Sequence, residues 1–313
     1  QGSSELNISF AISENDLRKA LRILHQALFS REIRRLNIFM AGTGSIGSRL
    51  MEMINNQQES LMSQKIELKI CGLVNTRKML IDDNGIAPDS WRKEMEKNGL
   101  KAHFRDFIEG MLSRNFENSV FIDATASDEP VKYYERLLTS NVSIVAANKR
   151  ANTGTMDDYD KLHLQAGKRN ISFNYETNVG AGLPVINVIR NLKAGGDEII
   201  RIEAVLSGSV NWLLSEYDGS KPFSGLVSIA REKGFTEPYP GDDLRGTDVA
   251  RKCLILSREA GLRLEMEDIE TESVVPGNIP PKGTTEALLR EIENQEENIF
   301  RRYKQATGKG KKL

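Results

Sequence analysis

Histidine and cysteine are both scarce in this 313-residue chain, which has three of the first and two of the second. His25, His103 and His163 lie away from the motifs described below, so any proton transfer falls to lysine or carboxylate. Cys71 and Cys253 stand in apolar surroundings and form no CxxC pair, so no zinc site is implied and both read as buried thiols of a reducing compartment. Long hydrophobic runs are absent. None approaches the ~20 apolar residues of a membrane span, and the start lacks a charged-then-apolar leader. Net charge is missing too, with 43 basic residues against 44 acidic ones for a formal −1. That leaves no basic face for nucleic acid. These absences describe a soluble cytoplasmic protein with neither a nucleic-acid nor a membrane partner.

What is present fills about two domains. Residues 6–12 alternate as a half-buried strand, and Ser13 then caps a helix to about Phe29 with Leu17, Leu21, Leu24 and Leu28 on one stripe. One strand and one helix cannot bury a core, so residues 1–34 are expected to be the tail of an upstream domain. From residue 35 to about 151, strands near 36–41, 66–74, 119–125 and 142–149 alternate with helices near 48–54, 91–96, 104–112 and 130–138. That alternation predicts a parallel sheet with right-handed crossovers. Beyond 151 come a helix (156–168), a strand-like run (171–175), a small-residue loop (176–184) and a helix (185–191). An alternating strand (199–206), a helix (244–260) stopped by Gly261, and a charged helix (286–303) with a mobile tail follow.

Gly42-Thr-Gly44-Ser45-Ile46-Gly47 follows a strand and opens a helix, the setting of a dinucleotide-binding turn. There the first glycine makes the turn, the second admits the pyrophosphate, and the third lets helix and strand close up. The second strand ends in Val74-Asn75-Thr76-Arg77-Lys78 without the acid that grips ribose hydroxyls in NAD-preferring chains. Arg77 and Lys78 suit a 2′-phosphate, so NADP is expected over NAD, which is still possible. Thr125, Ser127 and Lys149 close the third and fourth strands, where ligands of open parallel sheets bind. Far along the chain, Glu237, Asp242, Asp243, Asp248 and Lys252 gather around a Pro/Gly elbow, with Asp248 and Lys252 on one helix face.

Taken in order, the glycine turn, Ala147-Asn-Lys149, Tyr175 through Pro184, Leu206-Ser-Gly-Ser-Val-Asn211 and the acidic segment resemble homoserine dehydrogenases over about residues 36–275. The first ten residues are similar to the last strand of the regulatory ACT region of aspartokinases, so the chain resembles the dehydrogenase part of a bifunctional aspartokinase/homoserine dehydrogenase. The resemblance implies reversible NAD(P)H-dependent reduction of L-aspartate 4-semialdehyde to L-homoserine. It assigns Glu237, with Asp242 and Asp243 beside it, to the substrate, and Asp248 to orienting Lys252. Lys252 and Lys149 become the polar catalytic pair. Glu176, Val179, Ala181 and Leu183 would surround a sodium ion, largely through carbonyls.

The expected architecture is α/β. A Rossmann-type doubly wound parallel sheet (35–151) precedes an α+β substrate and dimerisation domain (152–285), through which copies pair into a homo-oligomer. Residues 286–313 lead toward a family segment expected beyond Leu313. Tyr239 stands where the family usually has an acid or small polar residue. Two other readings are open. One is an oxidoreductase for a different amino-acid semialdehyde, which the absence of a cysteine in a nucleophile-like loop disfavours. The other is a non-catalytic NADP sensor or assembly domain, which would need none of the lysines and carboxylates.

Overall fold

The computed structural model describes residues 3–4, 7–9, 11–29, 33–236, 239–277, 279–280 and 283–308. It divides into two compact units, residues 1–151 with 157–175 and residues 152–156 with 176–313.

The first unit opens with a short antiparallel pair, β1 (Ser3–Ser4) and β2 (Asn7–Ile8), followed by α1 (Leu17–Phe29). The expected strand is thus shorter than its alternation suggested, and its Leu6 and Phe10 lie outside the described residues. Ser13 precedes a 3-10 turn at Glu14–Asp16 and makes no side-chain cap to it.

Eleven elements then build the sheet and its cover. They are β3 (Arg34–Ala41), α2 (Ser45–Ser63), β4 (Ile66–Val74), β5 (Lys78–Ile81), α3 (Trp91–Asn98), β6 (Leu100–Lys101), α4 (Phe104–Arg114), β7 (Ser119–Asp123), α5 (Tyr134–Thr139), β8 (Ser143–Ala146) and α6 (Met156–Arg169). A last strand, β9 (Phe173–Asn174), completes the order β6-β5-β4-β3-β7-β8-β9. The run β4-β3-β7-β8-β9 is parallel, whereas β5 and β6 pair antiparallel at one edge. This edge hairpin was not expected. It forms because Asn75 Oδ1 accepts from the backbone N–H groups of Arg77 and Lys78 and turns the chain back. The chain leaves β3 for β4 on one side and later reaches β7 on the other. The order therefore reverses at β3/β7, which opens a crevice beyond their carboxyl ends.

Both sheet faces are covered, so β3 reads as continuous apolar sequence. Ile38 and Met40 pack with Met51, Ile54, Ile70, Trp91 and Met95 on one side. Phe39 points the other way, toward Phe107, and the aromatic row continues through Phe104, Phe121, Tyr134 and Phe173. Residues 157–175 belong to this unit, not to the second domain where sequence texture had put them. Backbone pairing decides membership: Ile144 and Val145 of β8 face Phe173 and Asn174 in a parallel ladder.

The second unit is built, among the described residues, from helices α7 (Val185–Ala194), α8 (Gly208–Glu216), α9 (Phe223–Glu232), α10 (Gly241–Leu244), α11 (Thr247–Ala260), α12 (Thr285–Asn294) and α13 (Glu296–Thr307). Gly246, at φ 72°, separates α10 from α11 where one helix was expected. Residues 199–206, expected as a strand, have no ladder partner among the described residues and no regular structure, and Ile200 and Val205 stand 94% and 76% exposed. The charged C-terminal segment is also more than a tail. Its Leu288, Ile292 and Ile299 are buried with Leu213, Phe223 and Val227, and Glu296 caps α9 by accepting from the Phe223 and Ser224 N–H groups. A buried stripe on a charged helix is enough to dock it. No helix among the described residues is long and apolar enough to cross a membrane.

Cys71 is buried in β4, and burial pushes its thiol from the ordinary 9.0 to about 11. A pKa raised by folding stabilises the fold below the unfolded value, and that contribution disappears as pH climbs through the folded one. Stability should therefore decline between pH 9 and about 11 through this residue. Denaturant titrations of Cys71→Ala should show a flatter decline over that window than the parent chain.

Candidate active site

A cavity of about 460 Å³ occupies the crevice at the carboxyl ends of β3, β4 and β7, lined by Gly42, Gly44, Asn75, Phe104, Thr125 and Ser127 among others. Each glycine of the turn has a separate steric reason. Gly42 sits at φ 94°, and a Cβ there would meet the Ala124 carbonyl at 2.6 Å. At Gly47 a Cβ would overlap the Gly42 carbonyl oxygen at 2.0 Å, so α2 seats on β3 only without it. Gly44 faces open space with nothing within 4 Å, which leaves its backbone approachable. Ser45 and Ile46 form the exposed first turn of α2, whose unsatisfied N–H groups and dipole favour an anion. The residues present fit a bound dinucleotide.

Around this cradle the side chains are tied to one another. Asn75 donates to Thr43 Oγ1 at 3.1 Å and fastens the turn to the β4–β5 hairpin. Thr125 Oγ1 accepts from Ser127 N, and Ser127 Oγ from Glu129 N. Arg77 is exposed, and its guanidinium makes no hydrogen bond or ion pair among the described residues. Lys78, its expected companion, instead donates to the Glu96 carbonyl. Lys149 is half-buried just past β8, next to the buried Asn148.

In the second unit, Lys252 lies on α11 with its Nζ 2.6 Å from Asp248 Oδ2 and 2.6 Å from the Leu206 carbonyl oxygen. An ammonium has three donors, so one is uncommitted among the described residues. Asp243 accepts from Ser209 Oγ at 2.6 Å, and Ser209 is 3.0 Å from Ser207 Oγ, which caps α8 at Val210 N. Asp242 pairs with Arg245. Glu237, assigned to the substrate by resemblance, lies outside the described residues.

Within the loop that leads to α7, both Glu176 carboxylate oxygens accept N–H donors, from Ile186 at 2.8 Å and Asn187 at 3.0 Å. The Leu183 carbonyl accepts from Val185 N. Those of Val179 and Ala181 accept no hydrogen bond among the described residues, and Ala181 holds φ 53°. No cluster of His, Cys, Asp or Glu side chains suited to a metal occurs among the described residues, so a cation here would rest on backbone oxygen.

Residues 42–176 match the family model described as the NAD-binding domain of homoserine dehydrogenase, and residues 184–313 match that described as homoserine dehydrogenase. The chain belongs to the homoserine dehydrogenase family. Residues 1–28 match an ACT domain. The bifunctional aspartokinase/homoserine dehydrogenase of Haemophilus influenzae is 37% identical over the whole of this chain and 38% of its own length. An Arabidopsis thaliana bifunctional enzyme is 35% identical over 100% of this chain and 34% of its own. The chain thus spans little more than a third of these relatives. The fold is shared with a hyperthermophilic archaeal homoserine dehydrogenase solved in complex with NADPH, at TM-score 0.62 and 23% identity over 76% of this chain and 75% of that one.

Sequence reasoning passed over Asp123, Ser209 and the Leu206 carbonyl. Asp123 left a signal as an acid ending an apolar strand, and Leu206 and Ser209 lie in a motif that was noted without a role for either residue. The other two contacts depend on how α8 and α11 meet. The glycine geometry separates two substitutions. Gly47→Ala should lose about 1–3 kcal/mol or more in denaturant unfolding. Gly44→Ala should stay within about 0.5 kcal/mol of the parent and weaken dinucleotide binding in a fluorescence titration.

Proposed function

We propose that this chain catalyses reversible reduction of L-aspartate 4-semialdehyde to L-homoserine, with NADP(H) preferred over NAD(H). The observation that carries this reading is the Lys252 ammonium, held by the Asp248 carboxylate and the Leu206 carbonyl with one donor left over among the described residues. When bound, the nicotinamide supplies the hydride for the aldehyde carbon. Lys252 turns its remaining N–H to the carbonyl oxygen, stabilises the negative charge that grows there and supplies the proton. Such a preorganised donor contributes on the order of a few kcal/mol. Asp248 keeps the ammonium aimed. Lys149 is the second polar group of the reaction, Glu237 takes the substrate ammonium, and Asp242 and Asp243 complete the substrate segment.

Arg77 is the group offered to a 2′-phosphate, since the β4 end carries no acid. The archaeal neighbour's NADPH complex supports that direction. Sodium fits the loop of Glu176, Val179, Ala181 and Leu183, where the Val179 and Ala181 carbonyls accept no hydrogen bond among the described residues. It would brace the start of α7. Residues 199–206, which pair with no strand among the described residues and expose Ile200, Ile202 and Val205, suit pairing with the same segment of a second copy.

The test follows absorbance of NADPH with homoserine and NADP as substrates. Absence of turnover by the parent chain, with dinucleotide still bound, would favour the sensor reading. Lys252→Ala and Lys149→Ala should each lower kcat on the order of 10²–10⁴-fold with little change in NADPH affinity. Arg77→Ala should weaken NADP binding and leave NAD binding nearly unchanged; equal losses for both cofactors would remove Arg77 from the discrimination.

A further inference from the structure

Beneath the dinucleotide cavity lies a carboxylate that none of the roles above uses. Asp123 ends β7 and is fully buried. Its Oδ1 accepts the Thr125 N–H at 2.8 Å. Its Oδ2 accepts the Tyr134 hydroxyl at 2.8 Å and the Asn148 side-chain amide at 2.9 Å. Asn148 Nδ2 also reaches the Ser127 carbonyl at 2.8 Å and lies 3.4 Å from Thr125 Oγ1, while its Oδ1 accepts the Arg150 N–H at 3.1 Å. The backbone repeats the tie, Ala147 N–H donating to the Asp123 carbonyl at 2.8 Å.

A carboxylate so far from water would be unfavourable without donors, and here three point at it. They come from separate places: the loop after β7, the loop after β8 and the side of α5. The two loops follow neighbouring parallel strands, β7 and β8, at their carboxyl ends. Thr125 and Ser127 line the cavity, and Lys149 sits between Asn148 and Arg150, both of which the network holds. Removing the carboxylate therefore loosens two loops at once, where an ordinary buried hydrogen bond would relax one.

We infer that Asp123 is the positioning residue that locks the Thr125–Ser127 and Asn148–Arg150 loops together and so sets the Lys149 ammonium over the cofactor crevice. Tyr134 serves as its backstop. The fully buried phenol donates from behind, which favours the charged form that the forward contacts also need. Burial raises the Asp123 pKa, and the hydrogen bonds from Thr125, Tyr134 and Asn148 oppose that rise. The turnover consequence rests on the proposed homoserine dehydrogenase reaction. The mechanical consequence does not.

Asp123→Asn keeps the shape and turns one acceptor into a donor facing other donors. Tyr134→Phe removes only the backstop. In Asp123→Asn, amide hydrogen exchange should accelerate together in peptides covering residues 124–128 and 147–151, with the β3 and β4 peptides unchanged. Its kcat for homoserine oxidation should fall on the order of 10²-fold, while KM for homoserine shifts by less than about threefold. Tyr134→Phe should give the same pattern at roughly a tenth of the kcat effect. Exchange that accelerates in one loop only, or across the whole sheet, overturns the inference. So does a folded Asp123→Asn chain with the parent kcat. If the parent chain lacks turnover, that result counts against the proposed reaction, and the exchange data still judge the lock.

Discussion

Helix α2 sits on β3 with no room for one methyl group, since a Cβ on Gly47 would fall inside the Gly42 carbonyl oxygen. That contact sets where the helix begins. It aims the first turn at the crevice and leaves the Gly44 backbone facing open space. Asn75 then fastens the same turn to the neighbouring hairpin, and Gly42 abuts Ala124 across the sheet. The cavity exists because these backbones approach one another so closely.

The second unit achieves a similar result with polar groups. An exposed Asp–Lys pair four apart on a helix contributes about 0.3–0.5 kcal/mol, too little to hold a flexible lysine in place. Here Lys252 is mostly buried, and the Leu206 carbonyl gives it a second acceptor from a segment 46 residues away. The cap at Ser207 and the Ser209–Asp243 hydrogen bond fix that segment in turn. Direction comes from the second acceptor, because two fixed contacts define where the third N–H points. The same logic governs Asp123, whose buried carboxylate takes donors from three elements and converts a strand end into a junction.

Much of this was legible beforehand. The glycine turn, the strands at 66–74 and 119–123, the α11 stop at Gly261 and the Asp248–Lys252 face all follow from local rules of spacing and backbone conformation. Other features were not, and for identifiable reasons. Residues 171–175 sit after a change in texture, yet their backbone completes the ladder beside β8, and no composition records which sheet a two-residue strand joins. Residues 199–206 alternate perfectly well as a strand, but alternation describes side chains and a strand also requires a partner for its N–H and C=O groups. The α12–α13 pair looked like a charged tail because three buried apolar residues are easily outnumbered by surface charge.

By itself, then, the chain's residue order determined the kind of chemistry available: a dinucleotide turn, lysines and carboxylates in place of histidine, and no acid for a ribose at the β4 end. Family membership follows from the same order, since the relatives share it along the full chain. Tertiary structure alone decided which backbone oxygen steadies Lys252, that Lys78 after β4 is engaged by the Glu96 carbonyl, and which carboxylate ties the β7 and β8 loops together. The division has a plain cause. Turns and helix faces are written over a few neighbouring residues, whereas a hydrogen bond between positions 46 or 25 apart depends on how whole elements come to rest.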